Sequence, residues 1–255
     1  MNDLLRATDS PARVFDRQSA RTPVSRLGVA VVHDLVTAVI TAEIAEGAML
    51  PPEIELSAHF GVSRTVIRES IKRIEEKGLV AVVQGSGTTV RAREFWNVLD
   101  PVVLQVMLEN DASLGVLDDL AIVRGALEGA MAAATAGRRS EEELAALRTA
   151  FGRMVETIDH EDEYNEADMQ FHLVVMNQSQ IPLAESITRT LYSRARESAR
   201  FTTNPSKDVF HQTLEEHRRV LEAIEQGDSA AAEAAMRAHI LDAWQRRRQP
   251  TSRKP

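Results

Sequence analysis

Three histidines and one aspartate in the second half of the chain have the chemistry of a metal site: Asp168, His172, His217 and His239. Asp168 and His172 are four residues apart, so they project from the same face if they lie on one helix. Neutral imidazoles with a carboxylate suit Zn²⁺, with Ni²⁺ or Mn²⁺ as other candidates. The alternative is that these are separate core or surface side chains, because an Asp–His pair at this spacing is more often a surface hydrogen bond.

The segment between His217 and His239 predicts that these two side chains lie side by side. Gly227 and Asp228 are typical of the end of one helix and the N-cap of the next, so the two helices should form an antiparallel hairpin. His217 lies ten residues before Gly227 and His239 eleven after Asp228, and both are therefore ~15 Å from the turn at 1.5 Å per residue. Apolar neighbours at helical spacing predict that both histidines face inward.

A second group of residues has the chemistry of DNA binding. Arg64, Arg68 and Lys72 recur every four residues beside Thr65, whereas isoleucines at the intervening positions form a separate apolar stripe. Ser63 is placed to cap the start of this helix. The pattern predicts a recognition helix with one buried face and one face that meets phosphates and base edges. An ordinary amphipathic helix with solvated arginines is the alternative.

The neighbouring elements favour a winged helix-turn-helix. The predicted order is a first helix that starts near Leu27 and keeps helical spacing until Gly47, a short helix over Glu53–Phe60, a turn at Gly61 and the recognition helix to about Lys77. Two β-prone runs, Leu79–Val83 and Thr88–Arg91, follow and are joined by a glycine-rich turn. A short helix, a turn, a second helix and a hairpin in this order are what a winged DNA-binding domain requires.

From Leu99 onward the sequence predicts helices and no strand. Helical periodicity marks six segments: Leu114–Ala136, Glu141–Ile158, Glu163–Asn177, Leu183–Phe201, Thr213–Gln226 and Ala230–Arg247. The expected fold class is mainly α, an N-terminal winged helix-turn-helix followed by an all-α antiparallel helical bundle. The predicted organisation is a flexible N-terminal arm (1–23), a DNA-binding domain (24–93), a linker (94–101), a helical effector- and metal-binding domain (102–247) and a flexible basic tail (248–255). The end of the chain, from the run Arg246-Arg247-Arg248 to Pro255, is expected to be solvated and basic.

Composition limits the classes of function. The 255-residue chain is long enough for two domains, and its formal net charge of -8 argues against a protein that coats nucleic acid by bulk attraction. Residues 1–93 contain 12 Lys or Arg and 11 Asp or Glu, so the acidic excess lies outside the predicted DNA-binding part. The absence of cysteine excludes disulfides and thiolate metal sites. Without a signal segment or a run of ~18 apolar residues, we expect a cytoplasmic protein with no membrane contact.

Residues 50–90 contain several short motifs: Leu50-Pro51-Pro52-Glu53, Ser63-Arg64-Thr65 with Arg68-Glu69, Gly78-Leu79-Val80 and the glycine-rich turn. Together they resemble the winged-helix domain of GntR-family bacterial transcription regulators. The resemblance implies that Ser63, Arg64, Thr65 and Arg68 contact the operator and that Gly85 of the wing enters the minor groove.

Two positions depart from that family pattern. Pro52 stands where the family usually has a helix-capping serine, and Ile54 stands where several members have a DNA-contacting arginine. The second change removes one DNA contact, so the operator sequence of relatives does not transfer to this chain.

The helical part contains further motifs: Arg124-Gly125-Ala126-Leu127-Glu128, Asp168–His172, His217–Ile224 with Gly227-Asp228, and Met236–His239. They resemble the FCD ligand-binding domain of the FadR-type branch of GntR regulators. The resemblance implies that the Asp-His₃ set holds a metal and that an organic acid effector binds against it. It also implies that Arg124 reaches into the effector cavity, where a guanidinium suits a carboxylate; pairing with Glu128 is the alternative. Arg196 is a second candidate of the same kind.

The connector between the two parts contains adjacent aromatic residues, Phe95 and Trp96. They could form a contact hot spot, but we expect them to pack the joint between the domains. The pattern Trp96-Asn97-x-Leu99-Asp100 resembles the connector of repressors of sugar-acid operons.

These patterns predict a metabolite-responsive, DNA-binding transcription regulator that is not an enzyme. We expect a repressor of a carboxylic-acid or sugar-acid catabolic operon, which leaves a palindromic operator when an organic acid binds at the metal site. A homodimer would place two recognition helices in the major groove of one palindrome. The alternative is a metal-dependent, hydrolase-like enzyme fused to a DNA-binding domain, since an open metal site can activate water. The sequence contains no HExxH motif to favour it.

Overall fold

The computed structural model describes residues 24–83, 85–197 and 207–248. Within these ranges the elements are α1 (Val24–Ile40), α2 (Glu53–Phe60), α3 (Arg64–Glu76), β1 (Val80–Val83), β2 (Gly87–Val90), α4 (Pro101–Asn110), α5 (Gly115–Arg138), α6 (Glu141–Thr157), α7 (Glu161–Gln178), α8 (Pro182–Glu197), α9 (Lys207–Gln226) and α10 (Ser229–Arg248). The predicted fold class is confirmed, with a winged helix-turn-helix followed by a helical bundle. The predicted N-terminal arm and the tail beyond residue 248 lie outside the described residues.

The helix-turn-helix forms because its turn residues have the required backbone. Helix α2 ends at Gly61, whose φ of 62° is left-handed, and α3 starts after Ser63, whose side chain accepts a hydrogen bond from the Val66 amide at 3.4 Å. On α3, Ile67 and Ile74 are fully buried in a core shared with α1. The basic face of α3 is therefore held outward.

The wing follows α3 through a sharp turn at Gly78. Its φ is +78°, and a Cβ atom at this position would lie 2.1 Å from the carbonyl oxygen of Phe95. Only glycine combines this backbone conformation with so close an approach. Strands β1 and β2 then pair antiparallel, with Val80 opposite Val90.

Helix α4 was not among the predicted helices. Asp100 starts it by accepting hydrogen bonds from the amides of Val102 and Val103 at 2.9 and 3.2 Å, and Pro101 occupies its first turn. Its sequence is apolar almost all round, so it lacks the two-faced pattern on which helix prediction depends.

The reason for this apolar character is that α4 is buried on two sides. On one side, Val103, Val106 and Met107 contribute to the core of the DNA-binding part. On the other side, Leu104 and Leu108 contribute to a core formed with α5, α8 and α10. The two parts of the chain are thus joined through one shared helix.

The connector before α4 packs less completely than predicted. Trp96 is half-buried against the N-terminal core, and its Nε1 donates to the carbonyl oxygen of Arg91 at 3.1 Å. Phe95 remains 51% exposed, with the Arg91 guanidinium 4.1 Å from its ring centre. Of the aromatic pair, only Trp96 fills the joint.

The bundle is built around α5, which packs against α7, α8, α9 and α10. The predicted hairpin of α9 and α10 is confirmed: Gly227 has φ +74°, its amide donates to Ile224 at 3.0 Å, and Asp228 accepts from the Ala231 amide at 2.9 Å. Among the described helices, none combines the length and apolar character needed to cross a membrane.

Candidate metal centre and DNA-binding surface

The four predicted metal ligands come together in the bundle, from helices α7, α9 and α10. Nε2 of His172 lies 3.2 Å from Nε2 of His217 and 3.3 Å from Nε2 of His239. Nε2 of His217 lies 3.4 Å from Oδ1 of Asp168, and one ligand atom of each residue lies within 4.8 Å of the others. Two ligands at 2.0–2.1 Å from a tetrahedral ion are ~3.3 Å apart, so the spacing fits a divalent ion.

Hydrogen bonds on the far side of two rings leave their Nε2 atoms free to coordinate. Nδ1 of His217 is 2.8 Å from the carbonyl oxygen of Thr213, which can only accept, so Nδ1 carries the proton. Nδ1 of His239 is 3.0 Å from Oε2 of Glu216, so this Nδ1 also carries the proton. Both Nε2 lone pairs therefore point into the cluster, as in histidines that bind metal.

The third ring, His172, lies against a buried carboxylate. Its Nδ1 is 2.6 Å from Oε2 of Glu128, although the contact lacks the alignment of a hydrogen bond. Oε1 of Glu128 accepts from Nε of Arg124 at 2.8 Å. Burial opposes ionisation of Glu128, but the charges of Arg124 and His172 outweigh it and lower its pKa to about 2. Glu128 is therefore an anion beside the cluster.

The charge states of the ligands favour a cation. Burial lowers the pKa of His217 and His239 below its ordinary value, so both imidazoles are neutral near pH 7. Burial opposes ionisation of Asp168, but the positive charge of the histidines when they are protonated in acid, together with that of Arg247, outweighs burial and lowers the pKa of Asp168. Nitrogen lone pairs and one anionic oxygen are the donor set that Zn²⁺ accepts.

Glu216 is held from the other side by Arg246. Nη1 and Nη2 of Arg246 donate to Oε1 and Oε2 of Glu216 at 2.6 and 2.7 Å. Burial opposes ionisation of Glu216, but hydrogen bonds from His239 and Arg246 outweigh it and lower its pKa to about 2. Glu216 thus forms a bridge between a ligand histidine and an arginine of the last helical turn.

The expectation that Arg246-Arg247-Arg248 begins a solvated tail is therefore wrong. Helix α10 continues to Arg248, Arg246 and Arg247 line the cavity beside the ligands, and Arg248 lies 3.1 Å from Asp118. Two arginines of the run pair with acidic side chains of the bundle, Arg246 with Glu216 and Arg248 with Asp118. Composition alone does not distinguish that setting from a tail.

A cavity of about 50 Å³ opens beside the ligands. Its polar wall includes Arg124, whose guanidinium lies 4.2 Å from the centre of the Tyr192 ring. Arg124 pairs with Glu128 and also lines the cavity. Pairing with Glu128 therefore does not exclude a position in the cavity wall. Arg196 lies outside the cavity wall, with Nη1 3.1 Å from Sδ of Met169.

The predicted DNA-contacting residues are all exposed to solvent. The described members are Ser63, Arg64, Thr65, Arg68, Lys72 and Gly85. The carboxylate of Glu53, on α2, accepts from Nε and Nη2 of Arg68 at 3.2 and 3.0 Å. Glu53 also lies 3.9 Å from Nη2 of Arg64, so one carboxylate contacts both of these arginines of α3.

Several residues at these sites escaped prediction. Glu128 was expected only as an alternative partner of Arg124, one turn away, and its contact with His172 was not predicted. Glu53, Glu216 and Arg246 had none, since their partners lie on other helices and depend on tertiary packing. Tyr192 likewise had no sequence signal.

Comparison with known proteins agrees with both halves of the chain. Residues 27–90 match the family of bacterial regulatory proteins named gntR, and residues 119–242 match the FCD domain. The chain is 30% identical over 213 residues to the galactonate operon transcriptional repressor of Escherichia coli, covering 84% of this chain and 93% of that protein. It is 30% identical to the HTH-type transcriptional regulator LutR of Bacillus subtilis, covering 78% and 91%. No catalytic family is indicated by these matches.

A solved structure shares the fold. It belongs to Lar, which controls the expression of the Listeria monocytogenes agr system, and it covers 87% of this chain and 96% of its own with a TM-score of 0.55 and 18% identity. The winged helix-turn-helix, the helical bundle and the extent of the sequence matches lead to one conclusion: this chain belongs to the GntR family of bacterial regulators, in the group with a C-terminal FCD domain, and it is a metabolite-responsive DNA-binding transcription regulator.

Proposed function

We propose that this regulator is a cytoplasmic repressor of a carboxylic-acid or sugar-acid catabolic operon. In this proposal a homodimer binds a palindromic operator, and an organic acid that binds beside a divalent metal ion, most readily Zn²⁺, releases it. The bundle is the sensor, and the α3 surface is the output.

The observation that carries the proposal is the convergence of three imidazole nitrogens on one point beside a cavity. His217 and His239 hold their protons on Nδ1, so their Nε2 lone pairs face Nε2 of His172 at 3.2 and 3.3 Å, and a cation between the three nitrogens would accept them. Asp168 adds one negative charge, and a divalent ion would leave a net positive site. Such an ion would supply Lewis acidity and attraction for an anionic ligand.

A carboxylate fits the cavity next to these ligands because its polar wall carries guanidinium groups. Arg124 is 8% exposed and lines the cavity, where water is largely excluded and a charge-assisted hydrogen bond is strong. The galactonate operon repressor at 30% identity and the regulator of an L-lactate dehydrogenase operon at 28% identity direct the choice of acid to hydroxy acids and sugar acids.

The DNA-binding part of the proposal assigns specific roles to the exposed face of α3. Arg64 and Arg68 reach bases or phosphates in the major groove, Ser63, Thr65 and Lys72 support that contact, and Gly85 lets the wing approach the minor groove. Two copies related by a twofold axis match the two halves of a palindrome. An effector regulates only if it favours one arrangement of the two DNA-binding parts over the other.

The test begins with DNA selected from a random library by the purified, Zn²⁺-loaded protein. Affinity for that DNA is measured by fluorescence anisotropy with and without D-galactonate, L-lactate and other hydroxy or sugar acids. We expect at least one acid to weaken binding of the wild type, and Arg124→Met to keep its DNA affinity but lose the response.

A matched control is Arg153→Met, an exposed arginine of α6 that pairs with Glu156 and Glu163 at the surface. It should respond to the acid as the wild type does. The sensor proposal is refuted if no acid alters DNA affinity and if metal analysis finds no difference between the wild type and His217→Ala.

A further inference from the structure

Two ligand histidines are backed by the same arrangement of side chains. His239 contacts Glu216, which pairs with Arg246, and His172 contacts Glu128, which pairs with Arg124. The four supporting residues come from α5, α9 and α10, so the repetition is not a consequence of local sequence. Both arginines also line the cavity.

We propose that Glu216 and Arg246 form a positioning pair that fixes His239 for metal binding, with Glu216 acting directly on the imidazole and Arg246 acting through Glu216. The inference rests on the proposed metal site. It assigns to the last turn of α10 a role in metal affinity.

The geometry explains what each member does. Oε2 of Glu216 lies 3.0 Å from Nδ1 of His239, which holds the proton on Nδ1 and leaves Nε2 as the donor. The carboxylate charge also increases the electron density of the ring, which strengthens a metal bond. His239 is 4% exposed and Glu216 6%, so the contact is largely shielded from solvent.

Arg246 keeps Glu216 in that position. Its two terminal nitrogens lie 2.6 and 2.7 Å from the two carboxylate oxygens, a bidentate arrangement that fixes both the plane and the charge of the carboxylate. Oε2 of Glu216 therefore accepts from both His239 and Arg246. Without Arg246, a buried carboxylate would lose its main countercharge, and its orientation toward His239 would loosen.

The pair has a matched control on the same helix. Glu215 precedes Glu216 and accepts from Nε of Arg218 at 3.2 Å, but both of these side chains are exposed, 57% and 43%. The two pairs have the same residue types, and only one of them touches a ligand histidine.

The experiment measures Zn²⁺ affinity by competition with a chromophoric chelator in the full-length protein. We expect Glu216→Gln to lower affinity about 10–100-fold, the usual cost of losing such a partner, and Arg246→Met to lower it by a smaller factor. Because Arg246 acts through Glu216, the double variant should match Glu216→Gln within about twofold. Glu215→Gln and Arg218→Met should bind as the wild type does.

Two further measurements separate positioning from general damage. Melting of the metal-free variants reports stability, and the visible spectrum of the Co²⁺-loaded protein reports ligand geometry, which should change in Glu216→Gln and not in Glu215→Gln. If Glu216→Gln does not fold, the Zn²⁺ affinity of Arg246→Met alone tests the proposal. The Arg246 side chain is 17% exposed, so we expect its substitution to disturb folding less.

The inference is overturned if Glu216→Gln binds Zn²⁺ within twofold of the wild type, if Arg246→Met alone binds normally, or if the two losses multiply in the double variant. A wild type that binds no Zn²⁺ gives a different result, because it overturns the proposed metal site itself.

Discussion

Metal binding should stabilise the folded bundle, and His172 is the residue through which this is best tested. Its Nε2 lies 3.2 and 3.3 Å from Nε2 of His217 and of His239. Substituting alanine removes one nitrogen donor that lies beside both of the others. We expect zinc to raise the melting temperature of the wild type and to leave His172→Ala almost unchanged.

The magnitude follows from linkage between binding and folding. A metal ion at 100 times its dissociation constant adds about 2.7 kcal/mol to the free energy of unfolding, which for a chain of this size is about 5–10 °C in melting temperature. If the variant binds more than ~100-fold more weakly, the same zinc concentration adds only about 0.4 kcal/mol, or ~1–2 °C.

The assay is differential scanning fluorimetry of the chelator-treated protein with and without added Zn²⁺. The shift within each variant is the relevant quantity, because His172 is buried and its loss also changes the stability of the metal-free protein. His160→Ala is the control, since His160 is exposed at the start of the same helix, α7, and its side chain makes no capping hydrogen bond. A zinc shift in His172→Ala equal to that of the wild type would refute the reasoning.

Four other predictions concern the DNA-binding surface, two glycines and the pH dependence of stability. Arg68→Ala should weaken binding to selected operator DNA by about 1–3 kcal/mol and lower the slope of log affinity against log salt concentration by about one, as for the loss of one phosphate contact. Arg153→Ala, on a distant helix, should change neither quantity in an anisotropy titration. Gly78→Ala should destabilise the protein by ~2 kcal/mol or more because of its positive φ and the Phe95 carbonyl 2.1 Å away. Gly152→Ala, where an added Cβ meets nothing within 4 Å in a helix, should stabilise it by up to ~1 kcal/mol in urea melts. Burial lowers the pKa of His217 below 6.5, so below pH ~6.5 the unfolded chain binds a proton that the folded chain does not. The contribution of His217 to the stability of the metal-free protein should therefore be fully present above about pH 7 and be lost as the pH falls below 6.5. Urea midpoints at pH 7.5 and 5.5 should differ less in His217→Gln than in the wild type.

The sequence predicted those features that depend on short-range patterns. The limits of α2 were predicted to the residue, and the turn at Gly227 with the cap at Asp228 placed His217 and His239 opposite each other. These succeed because helix caps, turns and helical periodicity act over a few residues. Helix α4 escaped because it is buried on two sides and shows no polar face.

The supporting residues of the metal centre could not be predicted in the same way. Glu216 and Arg246 are 30 residues apart and meet only when α9 and α10 pack together. A basic run at the end of a helix has the same composition whether it is solvated or folded over buried carboxylates. The local sequence near Arg246 does not distinguish a solvated run from a folded one, because the partner, Glu216, lies on another helix.

The position of α4 between two cores has a consequence for how the chain can be divided. A DNA-binding fragment that stops at residue 93 would lose Val103, Val106 and Met107 from its core and leave an apolar face in water. We expect such a fragment to aggregate or to unfold at low denaturant, and one that extends to Asn110 to retain its core but expose Leu104 and Leu108. Separation of the two halves by proteolysis should therefore yield less stable fragments than the intact chain, and melting of one half should lower the stability of the other.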